Sequence, residues 1–223
     1  GLPYEDFESF KESFNFAYNI RPDELQLGFL KVLPGTVLHE KQKEYGIVAD
    51  EFAPYEIIKN KWLSAEEIIS LKNIEAVLDI YHNSGMLKYS EKPLLEKFET
   101  PFEMYQQLAD FMSENGRLDF PHQKSDYLEF LFDFAKGYNL AEEITKDYFL
   151  FCRKKPSWTP EETELEKARI NEILTEGKFD NCPNLLKVKA SQRHKFAKFY
   201  KYYNKVFMVS YPDMSVQDIT EIY

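Results

Sequence analysis

The sequence predicts a mainly α, α+β fold in which the last βα units of a partial, TIM-like parallel barrel precede a helical domain. Three observations predict it. Two Gly/Pro turns, Gly1-Leu2-Pro3-Tyr4-Glu5 and Leu33-Pro34-Gly35-Thr36, have the form of strand-to-helix turns. Three helix-start signals follow, Ser64-Ala65-Glu66-Glu67, Thr100-Pro101-Phe102-Glu103 and Thr159-Pro160-Glu161-Glu162, each an N-cap with an acid three residues on. Between them, apolar residues recur at helical spacing.

Residues 6–18 carry Phe7, Phe10, Phe14 and Ala17 at helical spacing, with Glu5 and Asp6 where the helix dipole favours acids. Asn19 and Pro22 end this helix. Residues 24–32 read as a buried parallel strand, with Leu25, Leu27 and Phe29 on one face and Gln26, Gly28 and Leu30 on the other. Residues 36–45 read as a helix stopped by Gly46. Residues 47–62 contain Pro54 and the alternating run Tyr55-Glu56-Ile57-Ile58-Lys59, so an irregular connection with a short strand is expected there. That stretch is the expected domain junction, giving 1–62 as the barrel end and 63–223 as the helical extension.

In the extension, Ile68, Leu71, Ile74, Leu78 and Tyr81 line one predicted helix. Phe102, Tyr105, Ala109 and Met112 line the next, which stops at Asn115-Gly116. Further helices are predicted over 125–136, 141–154 and 160–175, the last ended by Gly177. Residues 177–190 look like a loop. Residues 191–205 are expected as a basic helix with Phe196, Phe199, Tyr200 and Tyr203 on one stripe, and 206–211 as a closing strand before Pro212.

At 26.5 kDa, with 43% hydrophobic and 16% aromatic residues, the chain has enough apolar material for a packed core, and its 19 Phe and 15 Tyr read as core filler. A net charge of −10 argues against general nucleic-acid binding, which needs a dominant basic face. No apolar run is long enough for a membrane span and no signal peptide is evident, so a cytoplasmic location is the default. Two cysteines, Cys152 and Cys182, build no disulfide framework.

His39, His82, His122 and His194 stand singly, so a structural zinc site has no ligand spacing to build on. Cys152 follows Tyr148-Phe149-Leu150-Phe151 and reads as buried and inert, although Arg153, Lys154 and Lys155 would lower its pKa if it were exposed. Residues 187–205 hold seven Lys and Arg, no acid, and interleaved aromatics, a combination also found in nucleic-acid patches. Taking those seven charges out of the net −10 leaves −17 on the remainder, which favours a core stripe with a solvated face, or docking on an acidic surface. The run Asp79-Ile80-Tyr81-His82-Asn83-Ser84-Gly85 offers polar groups to a pocket, or a helix end and turn. In a parallel barrel the active site lies at the C-terminal ends of the strands, which is where the turn at Gly1–Glu5 and the turn at Leu33–Thr36 would sit.

Taken together, Gly1-Leu2-Pro3-Tyr4-Glu5, Gln26-Leu27-Gly28-Phe29-Leu30-Lys31 and Leu33-Pro34-Gly35-Thr36 resemble the end of a radical S-adenosylmethionine (radical SAM) barrel. Pro54-Tyr55-Glu56, Lys61-Trp62-Leu63-Ser64 and Tyr81-His82-Asn83-Ser84-Gly85 narrow the resemblance to the cobalamin-binding-domain radical SAM proteins, iron–sulfur oxidoreductases with a helical C-terminal extension. It is specific to about residue 87 and looser beyond. Some members carry labels by analogy with anaerobic magnesium-protoporphyrin ester cyclases.

The resemblance implies that the chain begins inside a domain and that its parent is an oxygen-sensitive enzyme. The parent would hold a [4Fe-4S] cluster on a CxxxCxxC loop, S-adenosylmethionine, and in some members cobalamin. It implies that Gly1, Leu2, Pro3 and Glu5 border the S-adenosylmethionine adenosyl group, with Gln26, Gly28 and Leu30 nearby on the last barrel strand. Two cysteines cannot supply CxxxCxxC, so this chain alone is expected to bind no cofactor and to be inactive. The expected partners are the N-terminal part of the same polypeptide, a small-molecule substrate, and a second copy through an open barrel edge. The alternative is a helical interaction module that docks a protein or nucleic acid through the basic helix 191–205.

Overall fold

Asp6 starts the first helix, α1 (Phe7–Asn19), by accepting a hydrogen bond from the Ser9 amide while the Ser9 hydroxyl oxygen accepts one from the Asp6 amide. In a computed structural model that describes residues 1–159, 165–177 and 179–223, the chain is mainly helical, of the α+β class. It forms two compact units, Gly1–Pro121 and His122–Tyr223. The stretch 47–62, expected as the domain junction, lies inside the first unit.

In the first unit α1 buries Phe14 and Tyr18. Phe102 meets Phe7, Phe10 and Phe14 edge-on, with ring centroids 5.4–6.4 Å apart. The helix expected over 36–45 is two short ones, α2 (Val37–Glu40) and α3 (Gln42–Tyr45), divided at Lys41 and stopped by Gly46 at φ 63. Strands β1 (Val48–Ala49) and β2 (Ile57–Lys59) pair antiparallel. Next comes α4 (Ala65–Leu78), which opens with a complete capping box between Ser64 and Glu67 and runs on into a π-helical turn, Asp79–Asn83. The short α5 (Glu91–Leu95) and the long α6 (Pro101–Glu114) complete the unit. Ile68, Leu71, Ile74, Leu78 and Tyr81 are all buried, as are Phe102, Tyr105, Ala109 and Met112, so both predicted stripes face the core.

Residues 24–32 are not a strand. They run extended, but only Lys31 makes a bridge, antiparallel to Glu56. No parallel pair forms among the described residues, and neither sheet closes into a barrel. A buried parallel strand needs a neighbour on each side, and here the segment has one at its C-terminal end only.

The second unit holds α7 (Lys124–Phe134), a 3-10 turn (Ala135–Gly137), α8 (Ala141–Cys152), α9 (Lys167–Glu176) and α10 (Pro183–Lys187). The Thr159-Pro160-Glu161-Glu162 start signal and the first five residues of the helix predicted over 160–175 lie at 159–164, of which 160–164 are outside the described residues; α9 forms most of the remainder, and Gly177 ends it as expected, at φ 68.

The basic helix expected over 191–205 does not exist. Ala190–Lys195 is a 3-10 segment, and β3 (Ala197–Tyr202) joins β4 (Lys205–Ser210) through Tyr203-Asn204, with β5 (Ser215–Asp218) as the third antiparallel strand. Phe199 and Tyr200 therefore point to opposite faces. On one face Tyr200 stacks on Phe149 of α8 at 4.3 Å. On the other, Ala197, Val206 and Met208 pack with Ile173, Leu174, Phe179 and Leu185. Aromatic and β-branched residues suit a strand covered on both faces, and the pairing with β4 overrides the local helical spacing. Among the described residues no helix is long and apolar enough to cross a membrane.

Candidate functional site

Asn60 holds the N-terminal turn. Its amide group donates to the Gly1 carbonyl at 3.0 Å, and its carbonyl oxygen accepts from the Trp62 and Leu63 amides, both at 2.8 Å. A Cβ on Gly1 would stand 3.0 Å from a methyl of Ile57, so any larger residue would have to push that buried side chain aside by a few tenths of an ångström. Tyr4, at φ 72, lays its ring against Trp62 with centroids 4.7 Å apart. Leu2 is exposed, and Pro3 and Glu5 are partly covered.

Ile57 also links this turn to the extended segment, because its amide donates to the Leu30 carbonyl at 2.9 Å. Gln26 bonds only to Glu24 within the described residues, and a Cβ on Gly28 would meet nothing within 4 Å. The two groups of predicted site residues thus abut one buried isoleucine, with Gln26 and Gly28 facing solvent.

A second constellation was not predicted as a unit. Asn83, in the π-helical turn, accepts from the Leu25 amide (2.8 Å) and donates to the Leu25 carbonyl (2.9 Å), mimicking a strand partner. His82, beside it, turns one ring nitrogen, Nε2, to the Pro22 carbonyl (3.2 Å) and the other, Nδ1, to Glu91 Oε1 (2.7 Å). The same carboxylate oxygen accepts from the Tyr18 hydroxyl at 2.7 Å and the Tyr105 hydroxyl at 3.2 Å. Both His82 ring nitrogens thus face oxygen atoms.

Burial raises the Tyr18 hydroxyl well above the usual tyrosine range, with the Glu91 charge adding to it, and Tyr105 is raised by burial, Tyr18 and Glu91. Both remain neutral donors. A cavity of about 300 Å³ opens beside the cluster, lined by Tyr18, Arg21, Pro22, His82, Glu91 and Lys92, with Leu95 as an apolar wall. Arg21 ends α1 in the left-handed region at φ 58, where a non-glycine residue costs roughly 1–2 kcal/mol.

The family model described as Protein of unknown function (DUF4080) matches residues 43–219. The chain belongs to the DUF4080 family. No curated protein and no solved structure matches it. The DUF4080 span takes in His82, Glu91 and Tyr105, whereas Tyr18, Arg21 and all the residues from Gly1 to Leu30 precede it.

Elsewhere in this DUF4080 chain the other sequence candidates have structural roles. Burial pushes the Cys152 thiol up to about 11, Lys154 and Lys124 opposing it only in part. Arg193 donates to the carbonyls of Leu174, Val188 and Leu186, closing the end of α9, and Lys205 pairs with Glu142 at 2.8 Å. Much of the basic run is thus committed within the unit. No group of three His, Cys, Asp or Glu among the described residues is arranged to hold a metal ion.

The sequence marked the run 79–85 for either a pocket or a turn, and the structure uses it for both: Gly85 turns at φ 67 while His82 faces the cavity. Tyr18, Glu91 and Tyr105 carried no such signal. Tyr18 and Tyr105 sit on apolar helical stripes, and only the crossing of α1, α5 and α6 brings their hydroxyls to one carboxylate.

Proposed function

We propose that this chain is the C-terminal part of a cobalamin-type radical SAM iron–sulfur enzyme. Residues 1–62 would abut the rest of the barrel, and the helical remainder would cover its mouth or shape the substrate site. The sequence resemblance brings this reading forward, and two structural observations support it, the first carrying most of the weight. Between Gln26 and Phe29 the backbone makes no hydrogen bond to another described residue, so the segment offers an open edge to an incoming strand. Nine of the fifteen exposed large hydrophobic side chains among the described residues, Phe52 and Tyr4 foremost, also fall within residues 1–62. Such a concentration suits a surface covered by further chain.

The residues present do not fit the iron–sulfur cluster. The chain has two cysteines, of which Cys182 is buried beside Ser215, and a cluster that leaves one iron for S-adenosylmethionine needs three thiolates. The cluster and its chemistry therefore belong to the rest of the polypeptide, and this chain alone is inactive. Gly1, Leu2, Pro3 and Glu5, with Gln26, Gly28 and Leu30, would border the adenosyl group of S-adenosylmethionine.

The reading frame upstream of Gly1 tests this directly. A CxxxCxxC motif roughly 150 to 200 residues upstream, as a barrel of this class requires, is the expected result. The longer polypeptide, purified without oxygen, should then show cluster absorption and release 5′-deoxyadenosine from S-adenosylmethionine. A frame without the motif would end the proposal.

A further inference from the structure

We propose that the cavity between the end of α1, the π-helical turn and α5 binds a small organic anion, its carboxylate or phosphate group held between Arg21 and Lys92. The inference does not depend on the enzyme reading above, since every residue it uses belongs to this chain.

Charge carries the first step. Arg21 and Lys92 both line the cavity, both are exposed, and neither has an ion-pair partner among the described residues. The single carboxylate at the wall, Glu91, is already engaged by the Tyr18 and Tyr105 hydroxyls and by the His82 ring. Two positive charges are therefore left facing the same space, and a neutral or cationic occupant would leave them uncompensated as it displaced their water.

Shape carries the second step. The cavity, about 300 Å³, lies at the small end of ligand sites, which excludes a dinucleotide or a peptide helix. Its walls combine the Tyr18 ring, Pro22 and Leu95 with charge at the rim, the division expected for a molecule with one apolar and one anionic end. The backbone carries the third. Arg21 occupies a left-handed position at a helix end, where glycine is the favoured residue, and so places a long cation at the cavity against local preference. Tyr18, which comes from the last turn of the same helix, is locked by Glu91 and Tyr105, so the wall is preformed.

The test uses the intact 223-residue chain with isotope-labelled histidine, and follows the His82 ring by NMR during titration with benzoate, phenyl phosphate, inorganic phosphate and benzyl alcohol. Saturable His82 shifts with benzoate or phenyl phosphate are expected, and whichever binds tighter identifies the anionic group. Arg21→Gln and Lys92→Gln should each weaken binding about tenfold, as loss of one charge-assisted contact requires. Both side chains are exposed, so circular dichroism should show the fold unchanged. The proposal is overturned if no anion shifts His82 saturably, or if the double variant binds undiminished. Benzyl alcohol matching benzoate would overturn the charge argument, and inorganic phosphate matching phenyl phosphate would overturn the organic one.

Discussion

Replacing Glu91 asks most directly whether the polar cluster of the first unit acts as one network. Glu91 Oε1 accepts from Tyr18 (2.7 Å) and Tyr105 (3.2 Å), with His82 Nδ1 also at 2.7 Å. Hydrogen bonds to an ionised group contribute about 1.5–3 kcal/mol each, and because the Glu91 side chain is still 29% exposed the low end applies. Two compensations reduce the loss: the Tyr18 and Tyr105 hydroxyls lie 3.2 Å apart and can bond to each other, and leucine adds apolar contact. Glu91→Leu is therefore expected to destabilise the unit by about 3 kcal/mol. Glu91→Gln keeps an acceptor for the hydroxyls but loses the charge facing His82, and should cost about 1 kcal/mol. The chain has two tryptophans, one per unit, so urea unfolding read by Trp62 fluorescence in a Trp158→Phe background reports the first unit alone. Equal losses in the two variants, or a loss under about 1 kcal/mol for Glu91→Leu, would mean that the carboxylate is not the hub of the network.

Three further outcomes are expected. Ser64→Ala removes one half of the α4 capping box and should lower stability by about 1 kcal/mol, measured by the same urea titration. Burial pushes the Cys152 thiol up to about 11, so at pH 8 it should react with iodoacetamide about a hundredfold more slowly than an unperturbed thiol; labelling at the ordinary rate would show the site to be open. Between that value and the ordinary thiol range the folded chain retains a proton that the unfolded chain releases, so this group makes stability fall as the pH rises. Burial alone would raise the Asp213 carboxyl, but the Ser210 hydroxyl and the Asn184 and Leu185 amides outweigh it and hold the group low. Its contribution is present above the ordinary carboxyl range and is lost as the pH falls through the folded value. Asp213→Asn should flatten that acid limb when Trp158 fluorescence is followed in a Trp62→Phe background, and an unchanged limb would refute the assignment.

What the sequence determined by itself is what neighbours along the chain decide. The starts of α4 and α6 were legible because Ser64 and Thr100 satisfy amides three residues away, whereas α1 was read from its apolar spacing and early acids, and the structure shows Asp6 to be its cap. Gly46, Gly116 and Gly177 were legible as stops because their left-handed backbone has a local cost for any other residue. The buried stripes of α4 and α6 follow from the 3.6-residue period in the same way.

Three outcomes depended on contacts between segments distant in the chain. In residues 197–202 the aromatics satisfy a helical stripe as well as a strand, and the hydrogen bonds to β4 with the stacking of Tyr200 on Phe149 chose the strand. Residues 24–32 have the composition of a strand, yet a strand is a relation to a neighbour, and only Lys31 has one. The polar cluster is the clearest case. Tyr18, His82, Glu91 and Tyr105 lie on four elements spread over 88 residues, and no local preference couples them. Their convergence follows from burying the stripes of α1, α4 and α6, which carries a histidine and two tyrosine hydroxyls to one carboxylate because an unpaired polar group in a core costs more than the apolar contact around it gains.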